Sequence, residues 1–265
     1  MSTALTRSFL LQAGALVIAV SVVHGLYAGL IRPRAEQVEA AQQAAQEADP
    51  GARQERSVWV IVRDPEQEIC FILMLWALAI MGSKFHRVMR ERGMLQRDLV
   101  PLAPGERILP EDVRDHSRAL QALEPNERDS LYARALDGGL GRFRASHDLQ
   151  SASQAVDAVC QTEHEQMDSE LSLVRYIAWA IPSIGFIGTV RGIGQALSLA
   201  HEAVEGDISG VTASLGIAFN STFIALVLSI VLMFVLYQLQ HMQDRLVLDT
   251  QKHCDRNLIK NLQVS

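Results

Sequence analysis

The sequence has few of the residues that mark a disulfide-bonded, metal-binding or nucleic-acid-binding protein. Its three cysteines, Cys70, Cys160 and Cys254, stand alone without a Cys-x-x-Cys or Cys/His spacing, so neither a disulfide framework nor a zinc site is predicted. Lysine and arginine form no strong cluster and the formal net charge is -6, which argues against a nucleic-acid binder. We also expect no cofactor and no enzymatic activity.

Charge is scarce in four long stretches of the chain. Hydrophobic residues make up 49% of the 265 residues, and they concentrate in residues 9–31, 69–83, 171–200 and 211–239. A membrane core of roughly 30 Å needs about 20 helical residues to cross it. The last stretch contains no charged residue at all. We therefore predict an all-α integral membrane protein with four transmembrane helices.

The soluble stretches are rich in strong helix formers and show no β-rich sequence and no internal repeat. No breaker separates residue 147 from the third span, and residues 240–262 continue the fourth, so long helical extensions into the cytoplasm are predicted. The predicted segments are a first transmembrane helix (1–31), a periplasmic segment (32–66), a second transmembrane helix (67–86), a cytoplasmic helical domain (87–170), a third transmembrane helix (171–200), a periplasmic loop (201–210), a fourth transmembrane helix (211–240) and a cytoplasmic C-terminal helix (241–265).

Basic residues near the span ends predict the orientation. They follow the second span and the fourth span, whereas the 201–210 loop has none. Both termini are therefore expected in the cytoplasm, and the five arginines of 32–66 are the exception to this scheme. The first stretch is interpreted as an uncleaved span because signal-peptide cores are usually shorter; a cleaved signal peptide is the alternative.

The third and fourth spans each carry a stripe of small residues at spacings of three and four, which places each stripe on one helix face. Each stripe contains one threonine near its middle. Such stripes also occur where helices simply pack, so packing alone is the other interpretation. The stripes are Ala178, Pro182, Gly185, Thr189, Gly192 and Ala196 in the third span, and Ser214, Ala218, Thr222, Ala225 and Ser229 in the fourth.

A resemblance to a known family favours a functional role. Residues 181–192 read Ile-Pro-Ser-Ile-Gly-Phe-Ile-Gly-Thr-Val-Arg-Gly and closely resemble the signature of the MotA/TolQ/ExbB proton-channel family, a proline followed by Gly-x-x-Gly-Thr-Val-x-Gly. Residues 218–225 look like the second pore helix of that family, with a threonine before a small residue. The sequence departs from the family at Asn220, a more polar residue than expected, and at Arg191, where an apolar or aromatic residue is common.

The resemblance implies a ring of five identical subunits whose third and fourth spans line a central pore. Two copies of a single-span partner, similar to MotB, TolR or ExbD, would place their helices in that pore and carry the aspartate that binds and releases protons. The chain would then be the proton-channel subunit of a rotary motor driven by the proton motive force, in the bacterial inner membrane. The translocated ion is expected to be a proton, with sodium as the alternative.

The sequence supports a partner in its own way, because neither pore-type span contains Asp or Glu, and proton relays in lipid normally need an ionisable residue. Thr189 and Thr222 are expected to hydrogen-bond the partner's carboxylate or ordered water, and Asn220 and Ser221 to widen that polar patch. The remaining predicted pore-lining residues are Pro182, Gly185, Gly192, Ala218 and Ala225.

Arg191 is expected to reach the periplasmic interface with its charged end; otherwise it lies at the pore mouth or pairs with an acid of the partner or of the 201–210 loop. His24 is interpreted as a packed or interfacial histidine, and Glu66 and Glu68 as interfacial residues at the outer edge of the second span. Two other functions remain as alternatives: a small-solute transporter, and a membrane scaffold without proton-driven rotation.

Overall fold

The computed structural model describes residues 2–48, 57–101 and 106–264. Four of its helices are long and apolar enough to cross a membrane: Leu10–Gln42, Pro65–Leu95, Leu149–Ser198 and Ser209–Asn261. Within the described ranges the only β pairing is an isolated bridge between Ile108 and Leu262. The prediction of an all-α fold is therefore confirmed for the described residues, and four of the helices are candidate membrane spans, as expected.

Eleven α-helices lie within the described residues. They are α1 (Ser2–Leu26), α2 (Arg32–Ala48), α3 (Val58–Ile61), α4 (Pro65–Leu95), α5 (Val113–Gln121), α6 (Pro125–Arg128), α7 (Leu131–Ser146), α8 (Leu149–Glu170), α9 (Ser172–Ser198), α10 (Ala200–Val204) and α11 (Ser209–Asn257). A π-helical turn, Tyr27–Ile31, joins α1 to α2, so the first helical path continues beyond residue 31. The 201–210 loop begins with the short helix α10.

The chain forms two compact units, of which the first contains Met1–Met81 and Leu173–Leu236. In this unit α1 packs on α4: the indole nitrogen of Trp76 donates to the carbonyl oxygen of Gln12 at 2.9 Å. In the π-helical turn that follows α1, Tyr27 is buried and also packs on α4, with its ring centroid 6.4 Å from that of Phe71. The Trp76 indole N–H thereby has an acceptor that lipid could not provide, and the two rings add apolar packing.

Residues with caps or restricted backbones begin the membrane helices. Pro65 starts α4, where its missing N–H costs nothing, and the Asp64 carbonyl accepts from Gln67 and Glu68 N–H at 3.1 and 3.2 Å. Before α11, Gly206 adopts a φ of 106°, a backbone conformation that favours glycine. The Ser209 hydroxyl and backbone N–H both donate to Asp207, which lowers the pKa of that carboxyl from its ordinary value.

The second unit comprises Gly82–Ser172 and Tyr237–Ser265. Its centre is a hairpin of α7 and α8. The Ser130 hydroxyl caps α7, His147 ends it in the left-handed conformation with a φ of 52°, and the Asp148 carboxylate then accepts from Ser151 N–H at 2.8 Å to start α8. Leucine and aromatic side chains fill the core, among them Leu131, Tyr132, Leu136, Leu140 and Phe143.

One carboxylate in the second unit holds two arginines. Glu163 has only 2% of its surface exposed, and it accepts from Arg87 Nη2 at 2.6 Å and from Arg134. Nearby, Lys84 Nζ donates to Glu170 at 2.5 Å. A buried carboxylate is stable only when cations compensate it, so Glu163 ties α4, α7 and α8 together.

Replacing Glu163 with alanine leaves two arginines without their acceptor. We expect Glu163→Ala to lower the free energy of unfolding by about 3 kcal/mol, measured as thermal unfolding of the purified chain in detergent. The matched control is Asp115→Ala, because the Asp115–Arg118 pair is exposed on both sides and should change stability by less than about 0.5 kcal/mol. Equal losses in the two variants would contradict this assignment.

Candidate functional site

Within the first unit, α9 and α11 approach each other closely at three glycines. A Cβ added to Gly185 would lie 2.4 Å from the Cβ of Ala225, and one added to Gly188 would lie 2.5 Å from the Cβ of Ser221. At Gly192 the added atom would lie 2.8 Å from the backbone nitrogen of Ala218. Real Cβ atoms do not approach this closely, so only glycine permits this helix separation.

The two predicted stripes of small residues therefore face each other inside one chain. Their buried members include Ala178, Gly185, Gly192 and Ala196 on α9, and Ser214, Ala218 and Ala225 on α11. Pro182, Thr189, Thr222 and Ser229 are partly exposed. The stripes thus pack α9 against α11, and the two threonines lie where this contact meets the protein surface.

Pro182 explains one of the polar contacts between these helices. Proline has no N–H, so the carbonyl of the residue four positions earlier, Ala178, lacks its usual helical donor. The Ser229 hydroxyl of α11 donates to this carbonyl oxygen at 3.1 Å. A serine on the neighbouring helix therefore satisfies the backbone group that the proline leaves free, as required where water is absent.

Thr189 and Thr222 form a hydroxyl pair across the same contact, with their Oγ1 atoms hydrogen-bonded to each other. Thr222 Oγ1 also lies 3.0 Å from the Gly185 carbonyl oxygen, and Thr189 Oγ1 lies 3.1 Å from the Ala218 carbonyl oxygen. The structure thus brings together the two threonines that the sequence analysis singled out from different spans. The pair has two hydroxyl hydrogens. Their possible acceptors are the Gly185 carbonyl, the Ala218 carbonyl and the oxygen of the other threonine.

Asn220 and Ser221 lie apart from this pair. Ser221 is 1% exposed and turns toward Gly188, and its hydroxyl has no hydrogen-bond partner among the described residues. Asn220 is partly exposed. The predicted polar patch is therefore divided between a surface-accessible hydroxyl pair and a buried serine.

Arg191 pairs with an acid of the chain's own second span. Its Nε donates to Glu66 Oε1 at 2.6 Å and its Nη2 to Glu66 Oε2 at 2.8 Å, which is the two-pronged geometry of a strong ion pair. The sequence analysis placed the charged end of Arg191 at the periplasmic interface, at the pore mouth, or beside an acid of the partner protein or of the 201–210 loop. It did not propose Glu66 of α4. The sequence did contain a signal for this ion pair. Glu66 lies at the outer end of α4 and Arg191 lies near the outer end of α9, so the two charges are at a similar level.

The other acids at the start of α4 are also buried. Glu68 accepts from His24 Nδ1 at 2.7 Å and from Arg32 Nη2 at 2.6 Å, so His24 has a partner on a neighbouring helix. Asp64, just before α4, lies 4.0 Å from Arg191 Nη2. Burial raises the pKa of Asp64 above its ordinary value, against the opposing effect of Arg63 and Arg191.

Comparison with known families identifies the part of the chain that contains the hydroxyl pair. Residues 126–252, which include α7, α8, α9 and α10 and most of α11, match the model of the MotA/TolQ/ExbB proton channel family. The matched segment, a little under half of the chain, is similar to the channel domain of this family. The resemblance seen in the sequence is thereby confirmed, and the match supports a proton-channel role for this multi-span chain. No curated protein matches the chain in a sequence comparison.

The contact between Ser229 and the proline-freed carbonyl can be tested with a double-mutant cycle. We expect Ser229→Ala to cost about 1 kcal/mol, because the Ala178 carbonyl loses its donor in an apolar contact. In a Pro182→Ala background the new N–H supplies that donor within the helix, so the cost of Ser229→Ala should disappear. The measurement is thermal unfolding of the four proteins in one detergent; an unchanged cost in both backgrounds would rule the assignment out.

The glycine contact has its own matched control. Gly185→Ala should destabilise the fold by about 2 kcal/mol, because its methyl group collides with Ala225 across the helix contact. Gly194 lies on the same helix, and a Cβ there meets no atom within 4 Å. Gly194→Ala should therefore leave the thermal midpoint unchanged or raise it. A loss at residue 194 as large as that at 185 would show that helix separation does not govern the effect.

Proposed function

We propose that this chain is the channel-forming subunit of a proton-driven rotary motor, in which Thr189 and Thr222 hydrogen-bond a carboxyl group brought by a single-span partner. The observation that carries the proposal is the partly exposed hydroxyl pair at the contact of α9 and α11. Both threonines lie in the segment that matches the proton-channel family. Five copies would form a ring around two partner helices, and proton passage would turn the ring.

The hydrogen count of the pair suits a group that changes protonation. Each hydroxyl can donate to a backbone carbonyl, Thr222 to Gly185 and Thr189 to Ala218, or to the other hydroxyl. A protonated carboxyl group of the partner can donate to a lone pair that a hydroxyl oxygen keeps on its exposed side. If the hydroxyl hydrogens instead turn outward, they can stabilise a carboxylate, so one pair can bind both states of the partner's acid.

The chain's own acids support an external carboxylate. Neither α9 nor residues 211–239 contain Asp or Glu, and Glu66, which reaches α9 from α4, is neutralised by Arg191. The faces beside the hydroxyl pair are apolar and exposed, with Phe186, Val190, Phe219 and Phe223 each about 60% exposed or more. Such surfaces suit contact with lipid, with neighbouring subunits or with a partner's membrane helix.

Removing either hydroxyl at nearly constant volume tests the role of the pair. We expect Thr189→Val and Thr222→Val to abolish proton uptake by membrane vesicles that contain the chain and the single-span protein that co-purifies with it. Thr189→Ser should keep most of the uptake, because the hydroxyl remains. Thr212→Val is the control: its hydroxyl is exposed on the same helix as Thr222 and donates to the carbonyl oxygen of Ile208, just before that helix, at 2.9 Å.

The readings are uptake with a pH-sensitive dye and oligomer mass by native mass spectrometry. Loss of uptake with unchanged mass supports the proposal. Full uptake in both valine variants would mean that the threonines only pack helices. A chain that purifies without a single-span partner, or as an even-numbered oligomer, would favour the scaffold interpretation, and solute uptake independent of a proton gradient would favour a transporter.

A further inference from the structure

The first unit contains a buried carboxylate beside a hydroxyl without a partner. Both lie near the position that a Cβ would occupy on Gly188. An added Cβ would be 2.8 Å from Ser221 Oγ and 3.3 Å from Glu66 Cγ. Ser221 is 1% and Glu66 8% exposed. Three helices, α4, α9 and α11, therefore place an acid and a hydroxyl around a position that glycine leaves open.

A buried hydroxyl without a partner is costly in a membrane, where no bulk water compensates it. Serine can donate to a carboxylate oxygen, and both Glu66 oxygens keep a free lone pair while they accept from Arg191. The hydroxyl of Ser221 is next in sequence to Thr222, whose hydroxyl belongs to the exposed pair. Ser221 nevertheless lies apart from that pair, on the side of α11 that faces Gly188 and Glu66.

We propose that Glu66 and Ser221 form a second proton-binding site, supplied by this chain and separate from the threonine pair. The proposal rests on the proposed proton-channel function and adds a titrating residue to it. An arriving proton bonds to a carboxylate oxygen of Glu66, which ends the charge attraction to Arg191. The guanidinium then shifts its hydrogen bonds to Asp64, and proton release to the far side restores the original pair.

The groups around Glu66 suit such an exchange. Arg191 approaches from α9, and Asp64 stands two residues before Glu66 with its Oδ1 4.0 Å from Arg191 Nη2, close enough to receive it. Cys70 follows Glu66 by one turn on α4 and is buried. The described part of α11 contributes the neutral Ser221. Glu68, two residues on, is held instead by His24 and Arg32.

A hydrophobic carbodiimide tests directly whether Glu66 takes up a proton, because it adds to a protonated carboxyl group in an apolar site to give an acylurea. The full-length chain in lipid vesicles is treated with dicyclohexylcarbodiimide over a range of pH, and labelled peptides are identified by mass spectrometry. We expect labelling of Glu66, falling about tenfold per pH unit once a single proton is lost. Arg191→Gln should increase the labelling, because the competing cation is gone.

Glu68 is the internal control, since it is buried to the same degree but held by two bases. It should remain unlabelled under all conditions. Absence of label at Glu66, or equal label at Glu66 and Glu68, would overturn the proposal, because the ion pair would then be purely structural. This reading needs no partner and no proton flux, so it stands apart from the test of the proposed function.

Proton uptake in the partner-containing vesicles separates a proton carrier from a charge that merely neutralises Arg191. Glu66→Gln should reduce uptake at least about tenfold, and Glu66→Asp should restore part of it. The double variant Glu66→Gln/Arg191→Gln removes both charges together. Continued loss of uptake in the double variant supports proton binding by Glu66. Recovery to the wild-type rate would overturn it, while the threonine variants still report on the proposed function.

Discussion

The close approach of α9 and α11 is the constraint on which the other features depend. At Gly185, Gly188 and Gly192 the backbone of one helix touches side chains and backbone of the other, and no larger residue fits. In lipid this close packing replaces the hydrophobic driving force that assembles soluble helices. It also decides which polar groups can meet, because groups on two spans come within hydrogen-bond distance only when the helices are this close.

Each polar group at this contact then needs a partner, since water does not supply one. The Ser229 hydroxyl satisfies the carbonyl that Pro182 leaves free, and the two threonines satisfy each other and neighbouring carbonyls. Ser221 is the exception, and it lies beside the one carboxylate that reaches α9. Where each polar group has one fixed hydrogen-bond partner, the contact is structural. The hydroxyl hydrogens of the threonine pair have alternative positions, which leaves room for proton exchange with another group.

The sequence predicted those features that repeat along one helix. Long apolar stretches predicted the four spans, and the three- and four-residue spacing predicted the faces on which Thr189 and Thr222 lie. It did not predict Glu66 as the partner of Arg191, because 125 positions separate them and no periodic signal links an acid on one span to a base on another. The π-helical turn at Tyr27–Ile31 was missed for a related reason: that stretch reads as ordinary helix by composition.

Glu66 changes the argument about where the channel's carboxylate comes from. Counting acids in the third and fourth spans alone leads to a partner as the only source, but α4 brings a carboxylate to α9 within the same chain. That carboxylate is compensated by Arg191, and separating such a pair in a low-dielectric site is costly. A proton carrier must change charge cheaply, so Glu66 can serve only if Arg191 has a second acceptor, and Asp64 occupies that position. The partner's carboxylate and that of Glu66 are therefore compatible. The partner's carboxylate would exchange protons at the exposed hydroxyl pair, and Glu66 would do so beside Ser221 and Arg191.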